Sequence, residues 1–151
     1  MCSSDLSNKL QMALALGADH IIDVQNENVV DRVRALTNGK GADVIVEVTS
    51  YATQPVREAL DCVRMGGTVV LAGVKGFKPV SDFVSDLIVM KEITIKGAIG
   101  VTSSGYKKAI EMIERRKYPL ELMHTHNFEL EEAELAIKTL ALQIEGRDRK
   151  S

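Results

Sequence analysis

The chain has 151 residues, 19 basic against 21 acidic side chains and a formal net charge of −2, one domain's length with no general electrostatic pull toward nucleic acid or an anionic membrane. Tryptophan is absent and aromatics make up 4% of the residues, so a base-stacking platform is not expected; two cysteines, Cys2 and Cys62, are too few for a disulfide framework or a four-cysteine zinc lobe. No apolar run reaches about 18 residues and the start lacks a signal peptide's apolar core, so a cytoplasmic protein without membrane or nucleic-acid partners is expected.

Residues 1–6 connect to no downstream pattern. The bases TGCTCTTCCGATCT, which end a common sequencing adapter, translate in one frame as Cys-Ser-Ser-Asp-Leu, the sequence of residues 2–6. Residues 1–6 are therefore expected to be a non-native leader, with Cys2 not a native thiol and Asp5 not a ribose-binding acid. Residues 8–16, rich in Leu, Met and Ala, read as a short helix closed by Gly17. A strand follows over 20–24. Val29, Val30, Val33 and Leu36 then form one helical stripe with Asp31, Arg32 and Arg34 outward.

Asn38-Gly39-Lys40-Gly41 is a turn. Residues 43–49 are almost continuously apolar and are expected to be buried on both faces. Thr53 as N-cap and Pro55 in the first turn open a helix with Val56, Ala59, Leu60 and Val63 on one side. Gly66-Gly67 is expected to stop that helix and launch the strand over 67–74. Residues 75–80 are a loop and 82–90 a mixed segment with a short helix.

The next strand opens at Ile93 and closes at Ala98. Ser103 or Ser104 caps a helix with Tyr106, Ala109, Ile110 and Ile113 on one face. Pro119 breaks the chain, residues 124–130 read as extended, and Glu131 and Glu132 start a helix whose buried face is Ala133, Ile137, Leu140 and Ala141. Strands alternating with helices of this length make βαβ units and a parallel sheet. No G-x-G-x-x-G loop precedes them.

In an open parallel sheet ligands bind beyond the carboxyl ends of the strands. That points to Thr49-Ser50-Tyr51, to Ala72 through Gly76, and to Ala98-Ile99-Gly100, where glycine lets a flat ligand approach the backbone. His124 and His126 share a face if extended, but neither a cysteine nor a committed carboxylate stands near them, so packing is the expected role and no metal ligand is assigned. Cys62 reads as a part-buried thiol without a histidine to activate it. Glu47 closes a buried strand and needs a hydrogen-bonded or solvated carboxylate, a structural role. Lys96 reads as a snorkelling edge-strand residue, and Lys107 with Glu111 as an exposed i, i+4 pair.

Linked motifs carry a resemblance. Leu16-Gly17-Ala18-Asp19-His20-Ile21-Ile22, Thr37-x-Gly39-x-Gly41-Ala42-Asp43-Val44-Ile45-Val46-Glu47, Met65-Gly66-Gly67-Thr68-Val69-Val70, Gly73-Val74, Lys91-x4-Lys96-Gly97-Ala98 and Thr125-His126-x-Phe128-x-Leu130-x-x-Ala133 resemble the cofactor domain of the zinc-type alcohol dehydrogenases, within the medium-chain dehydrogenase/reductase superfamily. The resemblance covers about residues 8–151. It implies an α/β, Rossmann-like doubly wound parallel sheet, truncated at its N-terminal strand and phosphate loop. It also implies an NAD or NADP cofactor, hydride exchange between a small alcohol and its carbonyl, and a zinc ion as Lewis acid in the full-length parent.

By position, Ala72, Gly73 and Val74 would line the nicotinamide carboxamide. Ala98, Ile99 and Gly100 would meet the ring's edge through backbone groups, Thr49 would lie near the adenosine ribose, and Lys150 would reach the pyrophosphate. The strand from Ile93 to Ala98 would pair with a second subunit, making a homo-oligomer. Residues 7–118 would be the partial nucleotide-binding domain, and 119–151 the segment returning to a catalytic domain.

The departures bear on activity. The family's catalytic domain, zinc ligands and proton relay have no counterpart here, and no catalytic residue is assigned. Ser50 stands where the family commonly has glycine. Alternatives are a zinc-independent quinone- or enoyl-reductase-like relative, a non-catalytic dimerising remnant, and a doubly wound regulator domain for which Asp23 is the one candidate acid. Without the phosphate loop, no helix N-terminus holds the pyrophosphate. The isolated chain is expected to bind NAD poorly, to expose apolar sheet surface and to be sparingly soluble. Calorimetry should give a Kd weaker than about 1 mM; tighter binding contradicts this.

Overall fold

The computed structural model describes residues 1–4 and 7–141. The chain divides into two compact units, one of Glu27–Val101 and one of Met1–Asn26 together with the residues from Thr102 onward.

In the second of these, strand β1 (Cys2–Ser4) leads to helix α1 (Ser7–Ala15) and strand β2 (Ile21–Asp23). The helix stops at Gly17, whose φ of 100° only glycine adopts freely. β1 and β2 pair in parallel, with Cys2 opposite Ile21 and Ser4 opposite Asp23. Residues 2–4, to which the sequence assigned no element, are thus a strand, because the α1 crossover returns Ile21 alongside them. Leu10 and Ile22 are buried here. Asp23 spends its carboxylate on the following turn, accepting from the Gln25 amide (3.0 Å) and the Asn26 side chain (2.8 Å).

The Glu27–Val101 unit holds α2 (Val29–Leu36), β3 (Ala42–Glu47), α3 (Gln54–Cys62), β4 (Val63–Leu71), α4 (Asp86–Met90) and β5 (Thr94–Gly97). Asn28 caps α2 by accepting from the Asp31 amide at 3.0 Å. Asn38, Gly39 and Gly41 all take positive φ in the turn that follows. Gly41 is obligatory for space as well, since a Cβ there would stand 2.6 Å from the Cys62 carbonyl oxygen. The three strands form one parallel sheet in the order β3-β4-β5. Its core is Ala59, Leu60, Val63, Val69 and Ile93, with Ile45, Leu71, Leu87, Ile88 and Ile95 packed around it.

Two expectations fail in this unit. The strand over 43–49 is covered on one face only. Ile45 and Glu47 turn inward, whereas Val44, Val46 and Val48 are 58%, 59% and 68% exposed. Gly66-Gly67 does not end α3, which stops at Cys62 and passes straight into β4. The glycine pair lies inside that strand, Gly66 at φ 64° and Gly67 where a Cβ would meet the Val63 side chain at 2.5 Å. The helix can turn so abruptly because Lys91 crosses beneath its end. Its ammonium donates to the carbonyl oxygens of Leu60 (2.7 Å), Asp61 (3.1 Å) and Val63 (2.9 Å), groups that a helix C-terminus otherwise leaves unpaired.

From Thr102 onward come α5 (Ser103–Glu114), a 3₁₀ turn (Leu120–Met123), a second (Leu130–Glu132) and α6 (Ala133–Leu140). The cap of α5 is Thr102, which accepts from the Gly105 amide at 3.1 Å, and neither Ser103 nor Ser104. The expected apolar faces are present but uncovered. Tyr106, Ile110 and Ile113 are 62%, 55% and 60% exposed, and so are Ile137 and Leu140 of α6, where the buried residue is Thr139. Residues 124–129 form no strand. Glu111 pairs with Arg115 at 3.9 Å and not with Lys107. Among the described residues no helix is long and apolar enough to cross a membrane.

Lys91→Met should lower stability by about 1–3 kcal/mol, the cost of leaving buried carbonyls without a donor. Urea denaturation followed by far-UV circular dichroism measures it.

Candidate functional site

The register sets the three strand ends of the β3-β4-β5 sheet side by side. Glu47 lies opposite Leu71, and Leu71 opposite Gly97. The segments beyond them therefore emerge in a row along one edge, and they are the ones the sequence singles out. Thr49, then Ala72, Gly73 and Val74, then Ala98, Ile99 and Gly100 come together within this one unit. Lys150 lies outside the described residues.

Backbone bonds stitch the row. The amides of Ala72 and Gly73 both donate to the Glu47 carbonyl (2.8 and 3.1 Å), and the Ala98 amide donates to Leu71 (2.9 Å). The Tyr51 amide donates to the Val74 carbonyl at 3.1 Å. Gly73 is required for proximity: a Cβ there would run into the Thr49 carbonyl oxygen. Val74 and Ile99 present their side chains to solvent, 55% and 88% exposed. Gly100, at φ 70°, has open space where a side chain would stand.

Glu47 is the buried charge of this edge, 5% exposed. Its carboxylate accepts from the Lys75 ammonium at 2.6 Å and from the Thr49 amide at 2.7 Å. Lys75 also donates to the Thr49 carbonyl oxygen. The structural role expected of Glu47 is met, but its partner went unrecognised in a segment read as loop. The signal was available: a carboxylate at a buried strand end demands a cation, and Lys75 follows the adjacent strand. The sequence places Tyr51 at this edge without indicating its backbone conformation. That residue adopts φ 64°, costly for a bulky residue, and its ring lies against Gly76, where a Cβ would stand 3.4 Å away.

The remaining candidates sit elsewhere. Asp43, at the amino end of β3, is held below the usual carboxylate range by the hydrogen bond and charge of Arg64, 2.6 Å away. Cys62 is buried, and desolvation, with help from Glu58 and Asp61, pushes its thiol up to about 11, which favours the thiol over the thiolate at neutral pH. His126 stacks on Phe128 at 5.9 Å between ring centroids and meets the Thr125 hydroxyl at 2.9 Å. These rings line a cavity of about 570 Å³, with Met12, Leu16 and Leu140 among its apolar walls. It lies in the unit that holds none of the described candidate cofactor residues. Among the described residues no three His, Cys, Asp or Glu side chains converge to hold a metal ion.

A parallel sheet with flush carboxyl ends is what the resemblance predicts, and comparison with known proteins agrees. Residues 1–115 match the family model described as zinc-binding dehydrogenase. The chain belongs to that family. It is 34% identical over 143 residues to the protein named "Probable alcohol dehydrogenase" of Mycobacterium tuberculosis, covering 93% of this chain and 38% of that one. It is 34% identical over 132 residues to D-xylulose reductase of Saccharomyces cerevisiae, with 85% and 36% covered. Among solved structures, an alcohol dehydrogenase from Thermotoga maritima superposes with a TM-score of 0.83 at 28% identity, over 94% of this chain and 40% of that one. The chain thus spans less than two fifths of the length of the curated relatives named here. The fold class expected from sequence, a Rossmann-like α/β sheet matching part of such enzymes, holds.

Gly73→Ala should cost about 1–3 kcal/mol of stability, as overpacking does, because the obstacle is a backbone carbonyl that no rotamer change relieves. Its urea midpoint should fall below that of Val74→Ala, whose side chain faces solvent.

Proposed function

We propose that this chain is the cofactor-domain portion of an NAD(P)-dependent zinc-type dehydrogenase acting on an alcohol or polyol. The observation that carries the reading is the flush row of strand ends, which puts Thr49, Val74 and the Ala98–Gly100 backbone along one edge of the sheet. The strand order supports it. Within the Glu27–Val101 unit, β3-β4-β5 corresponds to positions 4, 5 and 6 of a doubly wound sheet of order 3-2-1-4-5-6. Position 1, which carries the glycine loop, has no counterpart among the described residues.

The candidate residues are read against both halves of a dinucleotide. Ala72, Gly73 and Val74 would bind the nicotinamide carboxamide through the peptide backbone, Ala98, Ile99 and Gly100 would border the ring, and Thr49 would lie by the adenosine ribose. Lys150 is assigned to the pyrophosphate by sequence alone. When bound, the nicotinamide supplies a hydride acceptor for the alcohol carbon. The protein's part is to hold that ring by backbone groups at a fixed edge. Zinc is assigned to the parent enzyme by the family resemblance, and no ligand to it is assigned in this chain. Residues 7–118 are read as the partial nucleotide-binding domain, and 119–151 as the segment leading back to a catalytic domain. β5, an outer strand of its sheet, is read as the strand that pairs with a second subunit.

A chimera tests the reading. The matching segment of the Mycobacterium tuberculosis relative is replaced by residues 7–151, and reduction of NAD and NADP is followed spectrophotometrically with a panel of primary alcohols and polyols. Turnover with at least one of them is expected. A folded chimera that reduces neither cofactor, beside an active unmodified relative, rejects the proposal.

A further inference from the structure

The two loops that carry most of the candidate contacts, residues 48–51 and 72–76, are tied by more than sheet hydrogen bonds. We infer that Glu47 and Lys75 form a clasp that positions both loops, so that the backbone of Thr49 and Val74 is in place before a cofactor arrives. The inference rests on the cofactor reading above for its purpose, and on geometry for its existence.

The ion pair is short, 2.6 Å, and nearly dry, with side chains 3% (Glu47) and 12% (Lys75) exposed. Each partner does two jobs. Glu47 binds Lys75 with one carboxylate oxygen and the Thr49 amide, 2.7 Å away, with the other. Lys75 binds that carboxylate and the Thr49 carbonyl. Both main-chain polar groups of Thr49 are therefore held by side chains and not by a neighbouring strand. Downstream, the Tyr51 amide holds the Val74 carbonyl, and the Tyr51 ring rests on Gly76 next to Lys75. The left-handed backbone of Tyr51 is strain that the surrounding bonds must hold.

A buried pair of this kind is a poor source of stability, because desolvation offsets most of its attraction. What it provides is direction. Two loops leaving adjacent parallel strands have no ladder to fix them, and a bidentate carboxylate meeting an ammonium fixes both. Lys75 and Glu47 are thus positioning residues: they are placed to act on a ligand only through the peptide groups they orient.

The test uses the full chain. Lys75→Met alone leaves a buried carboxylate unpaired and could unfold the protein. The double variant Glu47→Gln/Lys75→Met removes both charges and keeps an amide oxygen for Thr49. Amide hydrogen exchange is read at Thr49, Gly73 and Tyr51, with Leu60 and Val69 as core reporters. Saturation-transfer NMR with NADH at millimolar concentration reads contacts at the nicotinamide protons.

In the double variant, exchange at Tyr51 and Gly73 should rise by about tenfold or more, the scale of losing a charged hydrogen bond. The core reporters should not move, nicotinamide transfer should fall, and Lys75→Arg should retain both protection and transfer. Unchanged exchange at Tyr51 and Gly73 overturns the clasp. Faster exchange with undiminished nicotinamide transfer overturns its positioning role. Protected Tyr51 and Gly73 amides in the unsubstituted chain, together with a folded chimera that reduces neither cofactor, would instead reject the cofactor reading, and the clasp's purpose with it.

Discussion

The fold of residues 27–101 depends on one junction, the point where α3 becomes β4 with no intervening loop. Leu60 and Val63 lie on either side of it and are each 1% exposed. They are the seat on which Val69 and Ile93 pack. A helix that ends in the core leaves its last carbonyls facing apolar neighbours, which is affordable only if a donor reaches them. Lys91 is that donor, arriving from the far side of α4 with three bonds. Once α3 is seated, β4 is fixed between β3 and β5, and the register that aligns Glu47, Leu71 and Gly97 follows.

That alignment turns a fold into a site. Helices and strands of this kind serve many chemistries, but a parallel sheet delivers its strand ends to one edge, and there the peptide groups of three loops become available together. In this chain that edge is mostly backbone, shaped by Gly73 and by Gly100, with the buried Glu47–Lys75 ion pair behind it.

Much of this was legible in the sequence. The order of elements, the turn at residues 38–41, the inward stripe of α3 and the candidate edge residues all follow from periodicity, punctuation and the family's motifs. Failures share a cause. Periodicity says which side chains share a face, and nothing about whether that face is covered. Val44, Val46 and Val48 alternate faithfully with Ile45 and Glu47, yet only the second set turns inward, Glu47 buried and Ile45 partly so. The apolar stripes of α5 and α6 are correctly drawn and remain exposed. Other misses were local. Thr102 outcompetes the two serines after it because its hydroxyl meets the Gly105 amide, and the Gly66-Gly67 pair, which in sequence resembles a helix stop, answers at Gly67 a need for space inside β4. Lys75 was hidden because a long-range ion pair leaves no periodic trace.

The row Val44, Val46, Val48 has a further consequence, one of colloidal behaviour. β3 is an outer strand of its three-stranded sheet, and no strand pairs with its other side among the described residues. A β-branched strand with an open edge and a greasy face is the usual template for edge-to-edge growth between copies. The charges at its two ends offer little protection, since Asp43 is engaged by Arg64 and Glu47 by Lys75, so each acid is largely cancelled where it stands. The same open edge that would let a further strand extend the sheet is equally available to a strand of a second molecule.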